Sequence, residues 1–185
     1  MRKRGTIAAL VTIGALVGAL LVGASPANAA TTTYVSVLTP SGYTGKKVID
    51  IQYESTANRG IATIYDLRTT GNFENQRWTI TKVGVVGLNP TYTLRNVNSG
   101  LCLDKSQDVP DANGNRVYQY TCSGTANQEW MAVTVVSGSP YVELMNVSDD
   151  RCLDVETGKF GAFLNSQPLQ VWACSGSWNQ RWNIS

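Results

Sequence analysis

Asn75-Gln76-Arg77-Trp78, Asn127-Gln128-Glu129-Trp130 and Asn179-Gln180-Arg181-Trp182 are one short phrase written three times. The tryptophans stand 52 residues apart, and 52 apart again. A fixed period near fifty marks a repeated supersecondary unit, each copy too small to bury its own apolar face. Two further blocks repeat in the second and third units. Leu94-Arg95-Asn96-Val97-Asn98 followed by Leu101-Cys102-Leu103-Asp104 matches Leu144-Met145-Asn146-Val147-Ser148 followed by Arg151-Cys152-Leu153-Asp154. Val117–Gly124 matches Leu169–Gly176, each with an aromatic two residues before its cysteine.

The first unit is the divergent copy. Val48-Ile49-Asp50-Ile51 stands where the others carry Cys-Leu-Asp, and Ile64-Tyr65-Asp66-Leu67 where they carry the aromatic and the second cysteine. Val48 and Leu67 therefore fall at the two cysteine positions, an apolar pair in place of a bridge. Three extra residues lie between Leu67 and Trp78. The repeats run from about 34 to 83, 84 to 135 and 136 to 185.

Within each unit the pattern is that of short strands. Apolar and polar residues alternate through Tyr34–Leu38, Tyr92–Val97 and Tyr141–Val147, with similar stretches at Val48–Ile51, Ile61–Tyr65, Val117–Thr121 and Leu169–Ala173. A further strand passes through each motif tryptophan, as in Trp78-Thr79-Ile80-Thr81. Turn residues separate them at Asn98–Gly100, Asp111–Gly114 and Gly158–Gly161. Four strands per unit make about twelve, and an all-β barrel with threefold pseudo-symmetry is their natural closure.

The chain has 185 residues, 15% of them charged, and no histidine. The missing imidazole excludes Ser-His-Asp and Cys-His catalysis and removes the commonest zinc ligand. At the start, Arg2, Lys3 and Arg4 precede an apolar run from Ile7 to Ala24 and the small triplet Ala27-Asn28-Ala29. Positive, apolar, small is the order of a secretory signal peptide, so residues 1–29 are expected to be removed and residues 30–185 to act outside the cell. Three of the 15 basic residues go with the leader, which leaves 12 against 13 acidic, a net charge of −1. No basic stripe remains to hold nucleic acid, and after cleavage no membrane contact is expected.

Four cysteines, Cys102, Cys122, Cys152 and Cys174, remain in the mature chain. An even count in an exported chain reads as two disulfides. Three pairings are possible and spacing alone does not choose among them. The alignment of the repeats suggests that each bridge closes inside its own unit, Cys102 with Cys122 and Cys152 with Cys174. Without histidine or any Cys-x-x-Cys, no metal is expected, and no cofactor.

Three Gln-x-Trp motifs at this period, with Cys-Leu-Asp upstream, resemble the ricin B-type β-trefoil lectins, from about Tyr34 to Ser185. The resemblance implies a β-trefoil, and a lectin or carbohydrate-binding module that acts as a monomer on a polysaccharide or glycan of galactose or xylan type. It also implies that Trp78, Trp130 and Trp182 are core residues, and that the motif glutamines mostly bond backbone.

Sugar recognition in such proteins rests on an aspartate after the first cysteine, an aromatic before the second and an asparagine ahead of the glutamine. The chemistry suits the residues. A carboxylate accepts from neighbouring hydroxyls, an aromatic covers the C–H face of a ring, and an amide both donates and accepts. Carried onto this chain, the third repeat has Asp154, Trp172, Gln170 and Asn179. The second has Asp104, Tyr120 and Asn127, with Tyr118 at the glutamine position. The first has Asp50, Tyr65 and Asn75, with Thr63 there. Each also has a structural reading: aspartates closing turns, aromatics half-buried in strands, asparagines as turn formers.

Other functions are weighed against this. Asp108, Asp111, Asn113 and Asn115 sit close together like a calcium loop, but the glycine is misplaced and a polar hairpin fits better. The alignable acids are repeat-symmetric, whereas a glycosidase needs two carboxylates in different environments, so no enzyme is expected. The rival is a protein-binding or protease-inhibitory trefoil presenting Ser41–Lys46.

Overall fold

The computed structural model describes residues 30–71, 73–109, 112–157 and 163–184. The expected leader, Asp111 and the Gly158–Gly161 turn lie outside them. Among the described residues thirteen strands form a single antiparallel system, with four short 3-10 turns in the connections.

Six strand positions close a barrel. β1 (Thr31–Thr33) pairs with β5 (Trp78–Val86), and β5 with β6 (Asn89–Asn96). β6 pairs with β9 (Trp130–Thr134), and β9 with β10 (Val142–Asn146). β10 then pairs with β13 (Arg181–Asn183), and β13 with β2 (Ser36–Val37). Closure leaves no long edge for another chain to pair with. The thirteenth strand has a simple origin: β1 and β2 are the two halves of one strand, broken at Tyr34-Val35. Thr33 lies opposite Trp78 as Tyr92 lies opposite Trp130 and Val142 opposite Trp182. Twelve strand positions, four per repeat, are thus present.

The other six strands form three hairpins over one end of the barrel. These are β3 (Lys47–Ile51) with β4 (Gly60–Asp66), β7 (Cys102–Lys105) with β8 (Asn115–Tyr120), and β11 (Cys152–Val155) with β12 (Gln167–Trp172). They meet in a triangle, β4 with β8, β8 with β12 and β12 with β4. The result is an all-β β-trefoil with three pseudo-symmetric repeats.

The core lies where barrel and cap meet. Trp78, Trp130 and Trp182 are fully buried, and their indole N–H groups donate to the carbonyls of Ile49, Leu103 and Leu153 at 3.2, 3.1 and 2.9 Å. Each indole thereby pins its barrel strand to the hairpin of its own repeat and satisfies its one polar atom inside an apolar core. Val35, Leu94 and Leu144 pack among them.

Cys102 bonds Cys122 and Cys152 bonds Cys174, bridging 20 and 22 residues inside their own repeats. Loops of this size stabilise a fold by about 3 kcal/mol each in the chain-entropy picture. At the matching place in the first repeat Val48 is buried and Leu67 half-buried. The backbones there are held by a bond from Leu67 N–H to the Lys46 carbonyl, 2.8 Å.

Candidate functional site

Period two along a strand decides what each hairpin shows to solvent. In β7–β8, Cys102 lies opposite Tyr120 and Asp104 opposite Tyr118, which puts all four on the face turned away from Leu103 and the core. In β11–β12, Cys152 faces Trp172 and Asp154 faces Gln170. In β3–β4, Val48 faces Tyr65 and Asp50 faces Thr63. The carboxylate and the aromatic of each repeat are therefore near neighbours on one surface.

The motif supplies the third element. Its asparagine and glutamine occupy a 3-10 turn in each repeat, Glu74–Gln76, Ala126–Gln128 and Trp178–Gln180, just before the core tryptophan or the strand that carries it. The tight turn aims two successive amides at one carboxylate oxygen. Asp104 Oδ2 accepts from Asn127 Nδ2 at 2.9 Å and Gln128 Nε2 at 2.7 Å. Asp154 Oδ2 accepts from Asn179 at 2.7 Å and Gln180 at 3.0 Å, and its Oδ1 from Gln170 Nε2 at 2.9 Å. Asp50 Oδ2 accepts from Asn75 and Gln76, both at 3.0 Å.

The glutamines also bond backbone, as expected. Gln128, for instance, donates to the Thr121 carbonyl and accepts from Ser123 N–H. Their bond to the aspartate was not foreseen. The aspartates do not close turns: each lies in a strand, only 3–4% exposed. Burial pushes all three carboxyls up from the ordinary aspartate range, with the amide bonds pulling partly back.

The three sites differ in what stands above this floor. The third opens into a cavity of about 690 Å³ lined by Asp154, Gln170, Trp172 and Asn179, with Trp172 44% exposed. The second opens into about 560 Å³ lined by Asp104, Tyr118, Tyr120 and Asn127, with Tyr120 40% exposed. Each thus offers a flat aromatic beside a sunken carboxylate.

The first repeat has a smaller cavity, about 460 Å³, with a cation in its lining. Arg68 donates to Asp50 Oδ2 at 2.8 Å, to Asn75 Oδ1 at 3.3 Å and to Glu54 at 3.2 Å. Its guanidinium lies 4.1 Å from the Phe73 ring centroid and 5.3 Å from that of Tyr65. Asp50, Tyr65 and Asn75 are brought together, but around this internal cation. Arg68 and Phe73 belong to the longer stretch between Leu67 and Trp78. That extra length, with a cation inside it, was the available sequence signal.

The rival loop, Ser41–Lys46, is exposed. It is anchored by Tyr43, whose hydroxyl donates to the Phe163 carbonyl and whose ring meets that of Phe163 edge-on at 5.5 Å.

Residues 74–162 match the family model of ricin-type β-trefoil lectin domain-like proteins. Over those residues the chain is similar to that family. The chain is similar to ThreeFoil, a designed protein with threefold symmetry, at 28% identity and a TM-score of 0.66, over 81% of this chain and 95% of that one. It is similar to the exo-β-1,3-galactanase 1,3Gal43A of Clostridium thermocellum at 26% identity and a TM-score of 0.62, over 82% of this chain but 30% of the enzyme's. A ricin B-like lectin from Macrolepiota procera, solved with lactose, shares the fold at 19% identity and a TM-score of 0.63, over 86% of this chain and 96% of that one. A sequence comparison with curated proteins finds no match. Carbohydrate binding is the common property of the ricin-type lectin family.

Proposed function

We propose that this protein is a secreted carbohydrate-binding module or lectin that holds galactose-type or xylan-type sugars in the pockets of its second and third repeats. One observation carries the reading: in each pocket an exposed aromatic stands beside a buried aspartate whose Oδ2 is already saturated by two amides. The amides fix the carboxylate so that its other oxygen meets sugar hydroxyls without further ordering, and the ring receives the C–H face. Asp154, Trp172, Gln170 and Asn179 form the third site, and Asp104, Tyr120 and Asn127 the second. The first is silent, because Arg68 already sits on Asp50, Asn75 and Tyr65.

The role is binding rather than catalysis. Hydrolysis of a glycoside needs two carboxyls whose environments push their acidities apart. Here Asp50, Asp104 and Asp154 occupy equivalent strand positions and are all shifted upward. The leader-like N-terminus and the two disulfides support an extracellular place of action, with a glycan as partner.

Trp172→Ala tests the reading. Loss of the stacking face is expected to weaken the third site by about 1–3 kcal/mol, by analogy with bases stacked on aromatics. The melting temperature should move little, because the ring is half exposed. Titration calorimetry against galactosides and xylo-oligosaccharides, alongside a melt, reads both; unchanged affinity with a collapsed melt would make Trp172 a structural residue. A glycan array then decides between the two sugar classes.

Acid should release the sugar early. A carboxylate accepts from hydroxyls and its protonated form does so poorly, so the bound state favours the charged form. Since burial raises the pKa of Asp104 and Asp154, protonation begins above the ordinary value near 3.9. Affinity is expected to be full at neutral pH and to fall with pH before free aspartates titrate. In that window binding expels a proton, which calorimetry in buffers of different ionisation enthalpy detects. An affinity flat down to about pH 4 would remove the carboxylates from the site.

A further inference from the structure

The residues that lead into the second strand of each cap hairpin are alike. Asn58-Arg59, Asn113-Gly114 and Asn165-Ser166 are equivalent pairs, and the second residue of each is left-handed, with φ of 66°, 87° and 65°. Each asparagine reaches into another repeat. Its Oδ1 accepts the backbone N–H that follows that repeat's aromatic: Asn58 from Thr121 at 2.8 Å, Asn113 from Ala173 at 2.8 Å, Asn165 from Asp66 at 2.8 Å. Each pocket is therefore built by two repeats, and the left-handed residue forms its borrowed wall. Ser166 lines the first cavity. Gly114 stands against the third, where a Cβ would come within 3.8 Å of the Trp172 ring. Arg59 lines the second.

These three residues are one point at which equivalent walls differ, beside Tyr118 and Gln170. Glycine accepts a positive φ freely, whereas arginine does so at a cost. The side chain at 59 is 57% exposed, with its guanidinium 5.1 Å from the Tyr118 ring centroid. It is held by Asp108 at 2.5 Å, a carboxylate that is itself 60% exposed. An exposed pair of this kind is worth little, and a guanidinium has five N–H donors, so a second carboxylate can share it or replace Asp108. The third pocket is lined by Asp154 and Glu156, with no cation among its described lining residues. Glu156 is itself paired with Arg116, which stands outside that lining. The two open pockets thus differ in that a cation lines the second, whereas at the third the nearest paired cation sits behind a lining carboxylate.

We infer, on the reading that these pockets hold sugars, that Arg59 is a specificity-determining residue borrowed from the first repeat, and that it makes the second pocket the site for carboxylate-bearing sugars. The third pocket, walled by Gly114 and with Asp154 and Glu156 as its charged lining residues, takes neutral ones. The guanidinium meets the sugar carboxylate as a charge-assisted, two-pronged donor while Tyr120 covers the ring.

Arg59→Gly is the test, because glycine fits the left-handed turn and copies the wall of the third pocket. Trp172→Ala is used as the parent, so that the second pocket is read alone. Two pairs of probes differ only in the substituent on C5: galactose against galacturonate, hydroxymethyl for carboxylate, and xylose against glucuronate, hydrogen for carboxylate. Arg59→Gly is expected to weaken the uronate by about tenfold or more, and to leave its neutral counterpart within about twofold. A uronate indifferent to the change, or both members of a pair falling alike, overturns the inference while the sugar-binding reading stands. Failure of the Trp172→Ala parent to bind any of the four sugars overturns both for this pocket.

Discussion

Trp182→Ala should lower the stability of the domain by about 3–5 kcal/mol, the range for removing a large aromatic from a packed core. A chain of this size loses about 2–4 °C of melting temperature per kcal/mol, so the melt should fall by roughly 10–15 °C. Two losses combine. The buried ring leaves a void where cap and barrel meet, and the Leu153 carbonyl loses the indole N–H that it accepts at 2.9 Å. Since β13 joins β10 to β2, the damage falls where the barrel closes. Calorimetry or near-ultraviolet circular dichroism reads the change; a melt like the wild type's would mean that the motif tryptophan is not the keystone described. Trp172→Ala, ten residues away in the same repeat, is the contrast, with binding affected and melting spared.

Asp154→Asn should damage both properties. From the sequence this side chain is expected to face solvent, so that its replacement would affect sugar alone. The structure corrects that expectation: Asp154 is 4% exposed and takes three amides, from Gln170, Asn179 and Gln180. An asparagine presents an oxygen to one side and an NH2 to the other. At least one of those amides must then face another donor, at a cost of about 1–3 kcal/mol of stability. Binding at the third repeat should fall by a similar amount, through loss of the charge-assisted acceptor. A stable variant that has lost binding would show that the amides reorganise freely, and a fully binding variant would place the sugar elsewhere. Raised pKa values set a counter-current. Between the ordinary aspartate pKa and the raised one the folded state binds protons more readily than the unfolded chain. Asp154 ionisation therefore subtracts from stability as pH rises through that window. The asparagine variant should lack that slope, which separates the loss of charge from the loss of amide pairing.

Much of this molecule was legible before any coordinates. The 52-residue spacing of Trp78, Trp130 and Trp182, the alternation in the strands and the block alignment determined an all-β threefold barrel and the pairing of its cysteines. They did so because a repeated unit can bury its apolar face only against copies of itself, and equivalent residues then occupy equivalent places. The family resemblance grouped Asp104 with Tyr120 and Asp154 with Trp172, and strand register with period two places each pair on one face.

Tertiary structure decided what local rules do not reach. The burial of the aspartates depends on 3-10 turns more than twenty residues away folding back over them. Arg68 takes the carboxylate of the first pocket because the longer stretch between Leu67 and Trp78 passes over it. Arg59 enters the second pocket, and Gly114 abuts the third, because the cap interlocks turns from different repeats. Lys105, where the other repeats have Ile51 and Val155, is buried against Asp149 at 2.7 Å, an ion pair that joins two repeats across 44 residues. A sequence repeat fixes which residues are equivalent, through short-range geometry. Which neighbour each one meets across a repeat boundary is set only when the three units close on one another.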